Sequence, residues 1–384
     1  MNNKIAAWVV LIFAFVALTG CQKDKQASAP TGPVPLTGTP QINIKTVVSN
    51  AGIIWGFDFL PDGRMLLTQK SGQMQLLDTA TGSLTAVSGL PTNINPAGQG
   101  GLLDVLVAPD FATSRRVYIT FSITGNFLTL GHFRLDATTA TNWTALHTTA
   151  TPSQYAGHYG SRLAMGADAK LYWAVGEGGV VSQGGASSPN QNGQLLNTLW
   201  GKVHRINPDG SVPADNPVFD GTGRSTIFSY GHRNVQGMAF MPGTTRLYAT
   251  EHGPSGGCEL NLIEAGRNFG WPLFSNGVNY NGSNISNGHS GAGITAPLVT
   301  WTPALAPSGL SFINHPSYRN WNGNLLTGSL SRRHLLMINF SNGQPGAETI
   351  LLPNTGRVRQ VKQGPLGIIY VSVEDGRLLA LTAR

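Results

Sequence analysis

Charged residues and cysteines are both scarce in this 384-residue chain. Only 11% of the residues are charged, and only two are cysteine. Amphipathic helices need charged, solvated faces, so the scarcity of charge argues against a helical fold, and heptad patterns are hard to find. An internal disulfide would need both Cys21 and Cys258, and it is excluded if Cys21 is modified, as its surroundings indicate. The chain is therefore not expected to be a helical bundle or a disulfide-rich fold.

Blocks of lysine and arginine are also missing, although the net charge is +7 and the isoelectric point is near 9.5. Proteins that bind nucleic acids usually carry a basic helix or a concentrated basic patch, and the sequence shows neither. A basic balance spread thinly along the chain suits a small polyanionic ligand instead. We therefore expect no nucleic-acid partner.

Glycine and proline, in contrast, are abundant, with 49 and 23 copies. They bound short runs of Val, Leu, Ile, Tyr and Phe, which is the pattern of β-strands joined by turns. One hairpin-like unit, a strand, a turn and a second strand, recurs six times, at 57–68, 105–121, 162–173, 238–249, 310–328 and 361–371. The spacing leaves room for two further strands per unit. The sequence thus predicts an all-β, six-bladed β-propeller of four-stranded blades, with a pair of β-sandwiches as the alternative.

The first residues look like an export signal. Lys4 precedes an apolar run at 5–18 that is short for a membrane span. The run ends in Leu18-Thr19-Gly20-Cys21, which resembles the lipobox of bacterial lipoproteins. We expect a signal peptide at 1–21 ending at a lipid-modified Cys21, a flexible tether at 22–41 and the propeller at 42–384. By the same resemblance, Gln22 directs the protein to the outer membrane, facing the periplasm; an ordinary secretory signal or an uncleaved anchor is the alternative.

Polar residues concentrate between positions 229 and 272. Clusters at 231–234, 251–254 and 258–261 surround two apolar runs that read as strands. Polar residues at strand ends and in loops are where binding and catalysis usually occur. Three loops that are long for simple connections, at 179–198, 207–225 and 276–297, are candidates for the walls of a pocket. We predict that the functional site lies among these segments.

Seven motifs occur in the order found in one enzyme family. They are GQGGLLD at 98–104, HYGSRL at 158–163, GKVHRINPDG at 201–210, YGHRN at 230–234, EHGP at 251–254, NFGWP at 268–272 and GRVR at 356–359. As a set they resemble the soluble quinoprotein aldose sugar dehydrogenases, the glucose/sorbosone dehydrogenase family, from about Gln41 to the end of the chain. The family is a six-bladed propeller, as the repeats predict.

The resemblance implies a cofactor, a metal and a reaction. It implies pyrroloquinoline quinone (PQQ) and Ca²⁺ on one rim of the ring, oxidation of the C1 hydroxyl of aldose sugars or related cyclic alcohols to lactones, and transfer of electrons to an external acceptor. The residue roles it implies are as follows: His158 as general base with Glu177 behind it; Arg233, Asn234, His252, Cys258, Trp301, Arg332, Arg357 and Arg359 as cofactor contacts; Gln99 as a substrate contact; and the carbonyl groups of Gly253 and Pro254 as metal ligands.

These residue types suit that chemistry. A base that takes the hydroxyl proton while hydride leaves C1 must be neutral near pH 7, and the ordinary pKa of histidine, about 6.5, allows this. Arginines match the carboxylates of the quinone through paired donors. A hard cation held by carbonyl oxygens polarises the group that accepts the hydride.

Three positions depart from the family pattern. Cys258 replaces an acidic residue beside the metal loop, Gln360 follows Arg359 where Asp is usual, and a lysine that contacts the quinone is missing at 328–334, where Arg332 or Arg333 would supply the charge. These changes leave two alternatives open. One is a propeller hydrolase such as a lactonase, and the other is a lipid-tethered propeller that binds sugar or protein without catalysis. The oligomeric state does not follow from the sequence.

Overall fold

The protein, in a computed structural model, is described over residues 41–179, 183–219, 221 and 223–384. In chain order its strands are β1 Ile42–Val48, β2 Ile54–Phe59, β3 Met65–Gln69, β4 Met74–Leu77, β5 Leu84–Ala86, β6 Leu102–Val107, β7 Arg116–Ile123, β8 Phe127–Asp136, β9 Thr139–Thr148, β10 Gly160–Met165, β11 Leu171–Val175, β12 Lys202–Ile206, β13 Ile227–Tyr230, β14 Val235–Phe240, β15 Leu247–Glu251, β16 Cys258–Ile263, β17 Val299–Trp301, β18 Pro307–Phe312, β19 Leu325–Ser329, β20 Leu335–Ser341, β21 Gln344–Leu351, β22 Val358–Gln363, β23 Ile369–Val373 and β24 Leu378–Ala383. A four-residue α-helix, Phe111–Ser114, and two 3₁₀ helices, Gln154–Ala156 and Pro316–Trp321, accompany them.

The strands form six antiparallel sheets of four strands each. Five sheets are sequential, β2–β5, β6–β9, β10–β13, β14–β17 and β18–β21, and we number them blades 1 to 5. Blade 6 contains β22, β23, β24 and, as its outermost strand, β1. Each predicted repeat corresponds to the two inner strands of one blade. The predicted six-bladed propeller is therefore confirmed.

The innermost strands contact one another around the ring, and β22 of blade 6 meets β2 of blade 1. Their residues are almost all buried because neighbouring blades cover both faces. The hydrophobic core is accordingly split into clusters between blades, such as the cluster of Val358, Val361, Val371 and Leu379. A blade cannot bury these faces alone, so the fold depends on the complete ring.

Each innermost strand also carries a shift in register near its first residues. Such a bulge changes the direction of the side chains beside it, which would otherwise alternate between the two faces of the sheet. In β22, Arg359 lines a cavity at one mouth of the central channel, whereas the next residue, Gln360, lines a cavity at the other mouth. Trp55 and Gln236 share the first cavity, and Asp104 and Arg162 share the second.

Buried side chains on the first or second strand of each blade donate hydrogen bonds to the innermost strand of the next blade. Six contacts of this kind follow one another round the ring. Thr68 donates to the carbonyl of Leu103, Thr120 to that of Ser161, Arg162 to that of Gln236, Thr250 to that of Ser308, Ser308 to that of Val358 and Ser372 to that of Ile54. Buried backbone carbonyls need hydrogen-bond partners, and each of these six accepts from a side chain of the preceding blade. The hydroxyl and guanidinium donors thus complete the ring of contacts at its centre.

Antiparallel order places the loops on two rims. Connections from the outermost strand of one blade to the innermost strand of the next, and from the second strand to the third, lie on the same side, which we call the upper rim. Residues 264–298 join the third and fourth strands of blade 4 but climb to the upper rim, where Asn268 pairs with Tyr230. The long loop at 207–225 joins β12 to β13 and lies on the opposite rim. Described residues of the other two long loops reach the upper-rim site, where Asn190 donates to the carbonyl of Glu177 and the hydroxyl of Tyr280 accepts from Arg233.

Cys21 and nearly all of the predicted tether lie outside the described residues, so the boundaries at 21 and 41 stay predictions. No helix in the described ranges is long and apolar enough to cross a membrane. The first strand begins at Ile42, opposite Ala383, and both residues lie on the rim opposite the cavity that Arg359 lines.

Candidate active site

A cavity of about 380 Å³ opens on the upper rim over the central channel, within the usual range for small-molecule sites of roughly 300–1,000 Å³. Its polar lining consists of Lys70, Gln99, Gln236, His252, Arg357, Arg359 and Glu374, and Trp55 forms part of its wall. Lysine and two arginines against one carboxylate give the lining a positive balance. The cavity therefore suits an anionic ligand.

Beside the cavity, His158 forms a buried pair with Glu177. His158 follows the outermost strand of blade 2, and Glu177 follows the second strand of blade 3. The Nδ1 atom of His158 lies 2.9 Å from Oε1 of Glu177, and both side chains are almost completely buried. Glu177 also accepts a hydrogen bond from the indole N–H of Trp271. The histidine ring is thereby fixed with its proton on Nδ1, which leaves the lone pair on Nε2.

The backbone that presents His158 is strained and firmly held. Tyr155, Ala156 and His158 all have positive φ angles, of 55°, 52° and 44°, a conformation that costs non-glycine residues of order 1–3 kcal/mol each. The backbone N–H of His158 donates to Oε1 of Gln99 at 3.1 Å, and the N–H of Gln99 donates to the carbonyl of Ala156 at 2.8 Å. Gln99 thus positions the histidine as well as lining the cavity.

Burial lowers the pKa of His158, and the nearby charge of Arg233 lowers it further, against the opposing effect of Glu177. The imidazole is therefore neutral at pH 7. His252, whose Nε2 lies 2.8 Å from the carbonyl oxygen of Pro307, has its pKa lowered to about 3 by burial and by Arg359 and Arg233. Neither histidine adds charge to the site at neutral pH.

Arg233 connects the elements around the pair. Its NH1 group donates to the carbonyls of His252, at 3.0 Å, and Gly253, at 2.8 Å, and its NH2 group donates to the hydroxyl of Tyr280 at 3.2 Å. The guanidinium lies 5.2 Å from the ring centre of Trp271. Its Nε is buried and has no hydrogen-bond partner among the described residues. An unpartnered buried donor of this kind points to a ligand or an ordered water.

The loop at 252–257 brings carbonyl oxygens close together. A Cβ atom at Gly253 would lie 2.2 Å from the carbonyl oxygen of Gly256 and 2.3 Å from that of Gly257, so only glycine fits there. Two carbonyls of the loop already converge on the cationic Arg233. Such oxygens are the ligands that Ca²⁺ prefers. Among the described residues there is no cluster of three or more His, Cys, Asp or Glu side chains that could hold a metal, so a cation here would depend on the main chain.

A buried carboxylate stands directly behind this loop. Glu251 accepts from the N–H of Arg233 at 2.7 Å and lies 3.0 Å from Nδ1 of His232. Burial alone would raise the pKa of Glu251, but His232 and the N–H of Arg233 outweigh it and hold the pKa below its ordinary value. Negative charge therefore remains next to the loop even though Cys258 replaces an acidic residue.

Asn234 ties the site to the inner strands. Its Oδ1 accepts from the N–H of Gly160 at 3.1 Å, and its carbonyl accepts from the N–H of His252. It thus fixes the first residue of β10, next to His158, and the loop at 252–257 at the same time.

Five of the eight predicted cofactor contacts do not line the cavity: Arg233 and Asn234, described above, and Trp301, Cys258 and Arg332. Trp301 is on the outermost strand of blade 4, where it pairs in register with Cys258. Both residues are buried in the apolar cluster between blades 4 and 5. The indole N–H of Trp301 donates to Glu348 at 2.6 Å. Arg332 is exposed and donates to the carbonyl of Pro303. The structure gives these three residues no contact with the cavity, so their roles stay predictions.

Sequence reasoning missed several residues that the structure brings to the site. Glu374 binds both Arg357 and Arg359, Lys70 also lines the cavity, and Trp55 lies 6.0 Å from the guanidinium of Arg359. Trp271, to which the sequence analysis assigned no role, is buried and donates to Glu177. Glu374 and Lys70 each follow the second strand of a blade, as Glu177 and His252 do, and that shared position is the signal that could have revealed them.

Fold and site together define a six-bladed propeller with a cationic, cofactor-sized cavity beside a buried histidine and glutamate. The profile of the family described as glucose/sorbosone dehydrogenase matches residues 52–380. The chain belongs to this family.

Named relatives agree with that assignment. The aldose sugar dehydrogenase YliI of Escherichia coli is 33% identical over 356 residues, which cover 89% of this chain and 93% of the relative. The quinoprotein glucose dehydrogenase B of Acinetobacter calcoaceticus is 31% identical and covers 71% of this chain and 61% of its own length. The PQQ-bound structure of an aldose sugar dehydrogenase from Streptomyces coelicolor superposes with a TM-score of 0.74 at 27% identity, covering 90% of this chain and 100% of that one. The family is thus one of oxidoreductases.

Proposed function

We propose that this protein is a PQQ- and Ca²⁺-dependent dehydrogenase that oxidises the C1 hydroxyl of aldose sugars, or of related cyclic alcohols, to lactones. The observation that carries the proposal is the pair of His158 and Glu177 next to the cationic cavity. The relatives named above support the class of reaction, because all three are sugar dehydrogenases, one of them named a quinoprotein and one solved with PQQ bound.

His158 would act as the base. With Nδ1 held by Glu177, the lone pair on Nε2 accepts the proton of the C1 hydroxyl, and the buried carboxylate stabilises the imidazolium that forms. Because the pKa of His158 is lowered, the base is unprotonated at neutral pH. A general base of this kind contributes a factor of about 10²–10⁴ to the rate. Gln99, which lines the cavity and holds the backbone of His158, is placed to bind the sugar.

The residues present fit the cofactor. PQQ would supply the hydride acceptor. Arg357, Arg359 and Lys70 offer cationic donors to its carboxylates, and the buried Nε of Arg233 offers a donor that lacks a partner in the described structure. The carbonyls of Gly253 and Pro254 would hold the Ca²⁺, with Glu251 behind them. The arginines, Lys70 and the Ca²⁺ would oppose negative charge that develops on a ligand in the cavity. The electrons would then pass to an external acceptor.

Reconstitution tests the proposal. Cofactor-free protein is mixed with PQQ and Ca²⁺, and reduction of a dye is followed with a panel of aldoses. We expect turnover to require both additives and to fall about 10²-fold or more in His158→Ala. His315→Ala, which changes a histidine at the opposite rim, serves as the matched control and should keep full activity. Dye reduction without either additive would contradict the proposal.

Two other outcomes would identify the alternatives. Hydrolysis of lactones in the absence of PQQ would indicate a hydrolase. Measurable affinity for a sugar without turnover in any assay would indicate a binding propeller.

We also propose that Cys21 carries lipid and anchors the protein in the outer membrane, facing the periplasm. The support is the sequence pattern before Cys21. Since β1 begins on the rim opposite the cavity, an anchor attached through the preceding residues would leave the cavity open to the periplasm. Cell fractionation tests this: Cys21→Ser should move the protein from the membrane to the soluble periplasmic fraction. An unchanged distribution would contradict it.

A further inference from the structure

Among the described residues, Glu374 is the one carboxylate that lines the cavity, and its position is unusual for a site that is built to bind an anion. It is the first residue after β23, and its backbone N–H donates to the carbonyl of Arg357 at 2.9 Å. Oε2 binds Nε of Arg357, and Oε1 accepts from both Nε, at 2.9 Å, and NH2 of Arg359. Both arginines of the predicted carboxylate clamp are thus already bound to a carboxylate of the protein.

The two arginines are also held from other sides. NH1 of Arg357 donates to the carbonyl of Leu330 at 3.1 Å, and NH1 of Arg359 donates to Oε1 of Gln236 at 2.8 Å. A guanidinium has five N–H donors. These contacts use two donors of Arg357 and three of Arg359, so each arginine keeps donors for a ligand while bound to Glu374.

We propose that Glu374 is an internal counter-ion that competes with the carboxylates of the ligand for Arg357 and Arg359, and so restricts the cavity to polycarboxylates. This inference rests on the proposed function, because it concerns the quinone site. Three cations and one carboxylate leave the lining with a formal charge of +2, since His252 is neutral at pH 7. A ligand with one carboxylate gains little from arginines that are already neutralised in part. A tricarboxylate engages Lys70 and the remaining donors as well.

The competition has a second consequence, the uptake of a proton. Burial alone would raise the pKa of Glu374, but Arg359 and Arg357 outweigh it and hold the pKa below its ordinary value. The groups that face this carboxylate are the two arginines from blade 6 and Lys70 from blade 1, whose pKa is lowered by burial and by Arg359. When a ligand carboxylate shares the arginines, like charges meet and the pKa of Glu374 rises. Binding should then draw a proton from solution.

Isothermal titration calorimetry of the cofactor-free protein tests both consequences. PQQ is titrated at pH 6 in buffers that differ in ionisation enthalpy, which gives the number of protons taken up. We expect a net uptake of protons on binding PQQ for the natural chain. Glu374→Gln should bind PQQ about tenfold more tightly, as the loss of one like charge implies, and should take up none. Benzoate, a monocarboxylate, should bind measurably only to this variant.

Two further variants keep the test decisive. Asp375→Asn removes the adjacent carboxylate, which pairs with Arg377 at 2.6 Å and is half exposed, and should behave as the natural chain does. Glu374→Asp keeps the charge but shortens the side chain, so proton uptake should persist. The inference is overturned if Glu374→Gln binds PQQ no more tightly than the natural chain, or if it takes up the same number of protons.

The titrations also separate this inference from the proposed function. Benzene-1,3,5-tricarboxylate serves as a redox-inactive tricarboxylate. If PQQ does not bind but Glu374→Gln still gains affinity for this probe, the proposed cofactor is wrong and the counter-ion stands. If PQQ binds and supports turnover without proton uptake, the counter-ion is wrong and the function stands.

Discussion

Replacing Glu177 with glutamine should remove most of the contribution of the base while leaving the fold intact. In the natural chain both carboxylate oxygens accept hydrogen bonds, from Nδ1 of His158 at 2.9 Å and from the indole of Trp271. Glutamine has one acceptor oxygen and one NH₂ group. It can satisfy only one of the two donors, unless His158 moves its proton from Nδ1 to Nε2. That change removes the lone pair that would accept the proton of the sugar.

The magnitude follows from these contacts. The rate cannot fall by more than the whole base contributes, about 10²–10⁴-fold, so we expect kcat to fall by about 10²–10³-fold in Glu177→Gln. Replacing a carboxylate with an amide in the catalytic triad of serine proteases has a comparable cause and an effect of about 10⁴-fold. Loss of a charged hydrogen bond in a fully buried site should also lower the free energy of unfolding by about 1.5–3 kcal/mol.

Dye-reduction kinetics and a double-mutant cycle with His158→Ala provide the assay. If Glu177 acts through His158, the double variant should be no slower than His158→Ala alone, because the two residues act as one unit. Nitrogen NMR of the histidine ring should report the change of tautomer independently of activity. A kcat of Glu177→Gln within threefold of the natural chain, or effects that multiply in the double variant, would refute the reasoning.

Three further predictions concern the pH profile and the ring. Arg233→Met removes a positive charge and should therefore raise the pKa of His158. Since the base is active only above that pKa, the acid limb of kcat/KM should move to higher pH, and an NMR titration of the ring checks the pKa directly. Arg332→Met, which changes an exposed arginine, should shift neither the pKa of His158 nor the acid limb. Thr68→Val should lower the free energy of unfolding by about 1–3 kcal/mol in urea, because it leaves buried backbone groups of two blades without a partner; an equal effect of the exposed Thr46→Val would contradict this. Gly237→Ala should prevent or strongly destabilise folding, because its Cβ would lie 2.3 Å from the carbonyl oxygen of Ser308, whereas Gly223→Ala has nothing within 4 Å and should melt as the natural chain does.

Much of the fold could be predicted from the sequence because the information is local. Each inner hairpin contains its own turn residues and apolar alternation, so the six repeats revealed the six blades. The motifs that contain His158, Arg233 and Gly253 are also contiguous. Their resemblance to the family, rather than any local pattern, implied that they meet on one rim.

The remainder of the site depends on closure of the ring, which leaves no local signal. Lys70 and Glu374 are about 300 residues apart and line the same cavity only because blade 6 lies against blade 1. Trp301 shows that a residue predicted to contact the cofactor can instead lie away from the cavity. Its apolar alternation indicates a strand, but alternation does not distinguish the outermost strand from the innermost one, and β17 proves to be outermost. The bulges that turn Arg359 and Gln360 to opposite mouths likewise have no sequence period.

The pairing of β1 with β24 sets the order in which the molecule can be completed. Among the described strands, the one that is synthesised first has as its partner the one that is synthesised last. Until β24 is made, the backbone groups of Ile42–Val48 have no ladder to join, and blade 6 cannot cover the side of blade 1. The ring can therefore close only after β24 has been synthesised, and a chain that stops short of Leu378 would remain an open arc with two unprotected edges.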